Sequence, residues 1–161
     1  MDINLKTVAP FAIKIYTKRG SYQGHEKNAL AWELVCTTQV NGMGLGMPTK
    51  IPTSDFSTVR INEFDIQAFY VTTIKRRGGI RYGSANSKSV SESDANIEIM
   101  MGSGLQYPFG YGLSSTVFKQ REFNGSIKYS IPSAVAAAST EKMEKELLTT
   151  FSGENGSFGI M

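Results

Sequence analysis

The sequence is poor in the residues that carry metal-dependent and nucleophilic chemistry. Its 161 residues include one histidine, His25, and one cysteine, Cys36. Zinc sites normally take several His or Cys ligands, and nucleophilic catalysis needs a Ser, Cys or Thr beside a base. No Gly-x-Ser-x-Gly segment is present. We therefore predict a protein with no catalytic residues, metal or cofactor, which is not an enzyme.

The sequence also lacks long apolar runs and paired cysteines. No window approaches the roughly 18 apolar residues that are needed to cross a bilayer, and the first twenty residues alternate apolar side chains with Lys and Thr, which is not typical of a signal peptide. A single cysteine cannot form an intrachain disulfide, which fits a reducing compartment. These absences predict a cytoplasmic protein without a membrane span.

Short alternating segments separated by turn residues make up most of the chain. Apolar residues alternate with polar ones at Val8–Lys18 and again in "ANIEIMMGS", while "IQAFYVTTIKRR" is rich in aromatic and β-branched residues. Both patterns are typical of strands. Asn41–Gly42 and Asn124–Gly125 are typical hairpin turns. Residues 1–131 are therefore predicted to be mainly β, forming an antiparallel β-sandwich or flattened barrel.

Residues 132–161 have a different character and are predicted to form one C-terminal α-helix and a flexible tail. The segment is alanine-rich and then charged, with an apolar stripe of Met143, Leu147, Leu148 and Phe151. A sandwich needs no added helix to close its core. The segment could therefore pack on its own domain or exchange with a neighbouring copy, with Phe158 as a contact residue.

An aromatic, glycine-rich stretch, "GSGLQYPFGYGLSS", is the first candidate binding element. Tyr107, Phe109 and Tyr111 fall at alternate positions within it. Such a loop could fold its rings back over the core, insert into a neighbouring subunit, or stack on a glycan or small apolar ligand. All three alternatives stay open from the sequence.

The basic stretch "IKRRGGIRYG" is the second candidate. Lys75, Arg76, Arg77 and Arg81 could contact phosphates, with Tyr82 stacking on a base. Gly78–Gly79 is also a typical two-residue hairpin turn, in which case the cations would lie in solvent and protect a strand edge. A net charge of +3 is low for a dedicated nucleic-acid-binding protein.

The glycine-rich stretch "NGMGLGMPTK" is not a phosphate-binding loop, because it has no Lys-Ser/Thr and Pro48 follows it. It predicts a flat strand that another chain or layer approaches closely.

Together these features predict a non-enzymatic binding protein that self-associates into a homo-oligomer or larger structural assembly. A glycan- or small-ligand-binding module using the aromatic loop ranks second. Nucleic-acid binding through the basic hairpin ranks third.

Overall fold

The computed structural model describes residues 1–74, 79–84, 89–106, 108–110, 116–132 and 156–160, and these residues are mainly β. The strands are β1 (Asp2–Asn4), β2 (Pro10–Arg19), β3 (Glu33–Asn41), β4 (Pro48–Lys50), β5 (Ile66–Thr73), β6 (Tyr82–Ser84), β7 (Val90–Ser93), β8 (Ile97–Met100), β9 (Gly102–Leu105), β10 (Val117–Phe123), β11 (Gly125–Ser126) and β12 (Gly156–Ile160). The helical segments among them are short 3-10 turns at Ala29–Ala31, Thr53–Asp55 and Pro108–Gly110.

Three sheets organise these strands. The largest has the order β3-β2-β5-β12-β8-β7, and the smaller ones have the orders β11-β1-β4 and β6-β10-β9. Both small sheets are antiparallel. In the large sheet β2 runs antiparallel to β3 and β5, whereas β12 runs parallel to both β5 and β8. The mainly β, largely antiparallel architecture predicted from the sequence is thus confirmed.

The main core forms on the face of β2 that the alternating pattern predicted. Ile13 and Ile15 are completely buried, whereas the residues between the buried positions are partly exposed. This face packs with Ile3 and Leu5, at or next to β1, and with Ile51, which follows β4. The small β11-β1-β4 sheet therefore contributes to the core on this face of the large sheet.

A second, aromatic core uses the side chains that alternate with the first set. Trp32, Ala68 and Tyr70 are buried there, with Tyr16 and Phe109 packed against them. Because residues 68 and 70 alternate with Phe69, which belongs to the main core, β5 buries side chains on both of its faces.

The two Asn-Gly turns do not form the predicted hairpins. After Asn41–Gly42 the chain continues to β4, and after Asn124 it continues to β11, but β4 and β11 both pair with β1 and not with the strands before them. The hairpin prediction was wrong because the partner comes from the start of the chain, which local turn chemistry does not reveal.

The predicted C-terminal helix, which would start at Pro132 or Ser133 and end at Gly153, falls almost entirely on residues 133–155, which lie outside the described residues. Gly156–Ile160, predicted as part of a flexible tail, form β12 in the large sheet. In the part of the chain that the structure describes, no helix is long and apolar enough to cross a membrane.

Candidate functional site

The aromatic loop is described at Phe109, whereas Tyr107 and Tyr111 lie outside the described residues. The ring of Phe109 stacks on Tyr70 with centroids 4.5 Å apart and an interplanar angle of 24°. It also meets Tyr16 edge-on at 5.1 Å. The ring of Phe109 is therefore folded back over the core, which is one of the three arrangements that the sequence left open for this loop.

A hydrogen bond fixes this stack. The backbone N–H of Phe109 donates to the Tyr70 hydroxyl oxygen over 3.0 Å, and Phe109 adopts a left-handed φ of 50°. Burial raises the pKa of the Tyr70 hydroxyl above its ordinary value, so the group stays protonated at neutral pH. The loop is thereby attached to β5 at a defined point.

The basic stretch is described at Ile74 and from Gly79 onward, and in these residues the predicted hairpin does not form: Ile80 bridges to Leu5 and β6 pairs with β10, not with β5. Lys75, Arg76 and Arg77 lie outside the described residues. Arg81 is exposed, and its backbone N–H donates to the Asn4 carbonyl over 2.8 Å. Phe158 lies in β12, and its side chain is outside the described part.

The described residues do not bring potential metal-binding side chains together. No group of three or more His, Cys, Asp or Glu there could hold a metal ion. His25 sits in a turn, where its carbonyl accepts from the Trp32 indole N–H over 2.9 Å.

Cys36 is expected to be inert in the native protein. It is 2% exposed; burial raises the pKa of its thiol, and the Asp55 carboxylate raises it further. Because the thiolate is the reactive form, a chromogenic disulfide reagent at neutral pH should label unfolded protein within minutes and leave folded protein unlabelled. Labelling of folded protein at the unfolded rate would contradict the buried position.

The strongest candidate contact surface lies at the loop between β3 and β4, which we call the Met loop (residues 42–47). Met43, Leu45 and Met47 expose 54%, 67% and 54% of their surface, and the neighbouring Val8 exposes 73%. Val8 adjoins the loop, since a Cβ placed on Gly44 would lie 3.6 Å from its Cγ1. Four large apolar side chains therefore face solvent around one loop.

Hydrogen bonds hold the backbone of the Met loop in place. The N–H groups of Met43 and Gly46 donate to the side-chain oxygens of Thr49 and Asn4, and the Met47 N–H donates to the Gly44 carbonyl. Gly44 and Gly46 have φ values of 92° and 80°, which glycine adopts without strain. The loop thus presents its apolar side chains from a defined backbone.

This stretch was predicted to be a flat strand, whereas in the structure it is a turn-containing loop. The positive φ of two glycines breaks the strand that the Gly alternation suggested. The strand prediction was therefore wrong, and the exposed Met43, Leu45 and Met47 were not among the contact residues predicted from the sequence.

An edge strand adjoins the Met loop. β3 is one of the two edge strands of the large sheet, and in the described residues its outer side carries only one isolated bridge, between Cys36 and Phe56. The only charged residue in β3 is Glu33, at its start. Exposed edges are usually protected from pairing by charged side chains, Pro or bulges, so the later part of β3 is chemically open to another strand.

The register shows which peptide groups face outward. The Gly42 N–H donates to the Ala9 carbonyl, and the Ser57 N–H donates to the Val35 carbonyl. Since hydrogen-bonding directions alternate along a regular strand, the even-numbered positions of β3 from Cys36 to Val40, beyond the bulge at Val35, bond to β2. Odd-numbered positions such as Gln39 direct their N–H and C=O groups away from it.

Comparison of the chain with protein-family models, with curated proteins and with solved structures finds no match.

Proposed function

We propose that the protein is a non-enzymatic binding protein that self-associates through the Met loop and the adjoining edge of β3. The supporting observation is the group of four apolar side chains exposed on a hydrogen-bonded loop. Monomeric proteins rarely expose large contiguous apolar patches, and such patches usually mark interaction sites. We further propose that the scaffold is a β-sandwich, since the large sheet has side-chain clusters on both faces.

The partner that fits this surface best is a second copy of the chain. Two β3 edges can pair antiparallel about a two-fold axis, with the outward peptide groups near Gln39 facing their counterparts. The Met loop follows Asn41 directly, so the same axis would bring each loop towards the partner. A homodimer interface is typically more apolar than the rest of the surface, which agrees with the Met, Leu and Val side chains here.

Replacing Leu45 with Glu should prevent this association. Complete burial of a Leu side chain contributes about 1.5–3 kcal/mol, and a two-fold interface loses that contribution twice, in addition to burying two carboxylates. We expect the dissociation constant to rise by at least about a hundredfold. Light scattering after size exclusion should show an oligomer for the wild type and 17.6 kDa for the variant.

Leu30→Glu is the matched control. Leu30 is 98% exposed in the Ala29–Ala31 turn before β3, whereas the Met loop follows the other end of that strand. This variant should keep the wild-type mass, and Gln39→Lys, which brings two cations together across the proposed axis, should lower it. A wild-type protein that stays monomeric up to the highest soluble concentration would contradict the proposal.

Exchange of residues 132–161 between copies is the other route to self-association predicted from the sequence. β12 stands between β5 and β8, so deleting the C-terminal segment would remove an interior strand of the sheet. Point variants of the Met loop therefore test self-association more cleanly than truncation does.

A further inference from the structure

A cavity of about 280 Å³ lies between β5 and the small β6-β10-β9 sheet. Its size is close to the lower end of the range for small-molecule pockets. The side contributed by β5 runs from Tyr70 to Thr73, just beyond the last residue that pairs with β12, Phe69. The opposite side is lined by residues including Tyr82, Leu105, Phe118 and Arg121.

A bulge in β10 places an arginine beside the apolar lining. Phe118 pairs with Gly104 and Arg121 pairs with Gly102, so two residues of β10 lie opposite one residue of β9. Gln120, inside the bulge, has a left-handed φ of 53°. In a regular strand Phe118 and Arg121 would face opposite ways, whereas the bulge brings them to the same side.

The Arg121 guanidinium is held by two aromatic rings. It lies 5.4 Å from the ring centroid of Tyr82 and 5.6 Å from that of Phe118. Its Nε is buried and has no hydrogen-bond partner in the structure. The nearest acid in sequence, Glu122, also lines the cavity, but its Oε1 accepts from the Ser91 hydroxyl over 3.1 Å.

A buried guanidinium nitrogen without an acceptor costs free energy, so the arrangement favours a ligand that supplies one. Cation–π contacts hold the guanidinium in place but satisfy none of its N–H donors. Apolar or aromatic side chains, Ile80, Leu105 and Phe118 among them, make up about half of the rest of the lining, and most of the remainder is polar or charged. These features suit a ligand with one anionic group and a flat apolar body.

We propose that this cavity is a binding site for a small carboxylate-bearing molecule with an aromatic or similarly flat body. The carboxylate would accept from the Arg121 guanidinium, including Nε, and the body would lie against Phe118 and Leu105. The site does not depend on self-association, because none of its named residues belongs to the Met loop or to β3.

The test uses two shape-matched probes, 2-naphthoate and its neutral amide, titrated into the full chain by calorimetry and by NMR of the arginine Nε–H signals. We expect saturable binding of naphthoate, a shift of the Arg121 Nε–H signal, and at least about tenfold weaker binding of the amide. Arg121→Met, which keeps the apolar stem, should lower the affinity for naphthoate to that for the amide. Arg60→Met, at an exposed position, should leave the affinity for naphthoate unchanged.

A second variant changes the site without touching Arg121. A Cβ on Gly104 would lie 2.9 Å from Cζ of Tyr82, so Gly104→Ala must shift this ring, which contacts the Arg121 guanidinium. Naphthoate should bind this variant more weakly while its circular dichroism spectrum stays that of the wild type. Equal affinity for naphthoate and its amide, unchanged affinity in Arg121→Met, or no binding of either probe at millimolar concentration would overturn the proposal.

Discussion

Gly42→Ala is expected to lower the free energy of unfolding by about 4 kcal/mol or more, which places it among the exceptional single substitutions. A Cβ at this position would lie 2.0 Å from the Thr7 carbonyl oxygen and 3.1 Å from its carbon. Both are backbone atoms, so no side-chain rotation relieves the overlap. The strand end would have to separate, breaking the hydrogen bond from the Gly42 N–H to Ala9.

Urea denaturation followed by tryptophan fluorescence measures this effect, since the chain has one tryptophan, which is buried. Gly79→Ala is the matched control, because the nearest atoms to its Cβ lie at 3.4–3.5 Å and its φ is not left-handed. That variant should change stability by less than about 1 kcal/mol. An unfolding midpoint for Gly42→Ala equal to that of the wild type would contradict the close approach of residues 7 and 42.

Ile13→Ala should destabilise the protein by about 3–4 kcal/mol. Ile13 is completely buried, on the strand that pairs with both β3 and β5. Its truncation removes apolar contacts and leaves a cavity between the large sheet and the β11-β1-β4 sheet. Ile13→Val removes one methylene and should cost about 1 kcal/mol.

Ile131→Ala supplies the comparison, because Ile131 is 54% exposed and should lose less than about 1 kcal/mol. Urea midpoints of the three variants at a common slope give the differences directly. If Ile13→Ala and Ile131→Ala proved equally stable, the assignment of β2 to the centre of the core would be incorrect.

Strands whose two faces differ in polarity were predictable from sequence. The pattern of Phe11, Ile13 and Ile15 located β2 within two residues at its start and one at its end. It could do so because only every second side chain of β2 enters the main core. The start of β3 was less predictable. Strict alternation would place Leu30, Trp32, Leu34 and Cys36 on one face of a strand, yet Leu30 and Leu34 are exposed whereas Trp32 and Cys36 are buried.

A 3-10 turn and a bulge explain this difference. The turn at Ala29–Ala31 removes Leu30 from the strand, and the pairing of β2 with β3 shifts between Ile15 and Tyr16 so that Val35 is an extra residue. Val35 and Cys36 are consequently both buried. Such shifts depend on the partner strand, and a single segment of sequence contains no signal for them.

The candidate sites were predicted unevenly for a similar reason. The aromatic loop was visible as a cluster of rings, but its use of Tyr70 as an anchor required the fold. Arg121 belongs to no motif in the sequence. Its contact with Phe118 depends on the bulge in β10, and its contact with Tyr82 depends on the pairing of β6 with β10. Both sites depend on the pairing of strands that are distant in sequence, and residue chemistry alone does not predict that pairing.

The interior position of β12 has a consequence for the folding kinetics of the chain. β12 alone joins β5 to β8 within the large sheet, and both partners lie far from it in sequence. Closing such long loops delays pairing, and folding rates fall as contacts become less local. The β3-β2-β5 unit, formed from nearer segments, should therefore assemble first and hold an unpaired β5 edge until β12 arrives. That transient edge, more than any surface of the native protein, is where aggregation during refolding should begin.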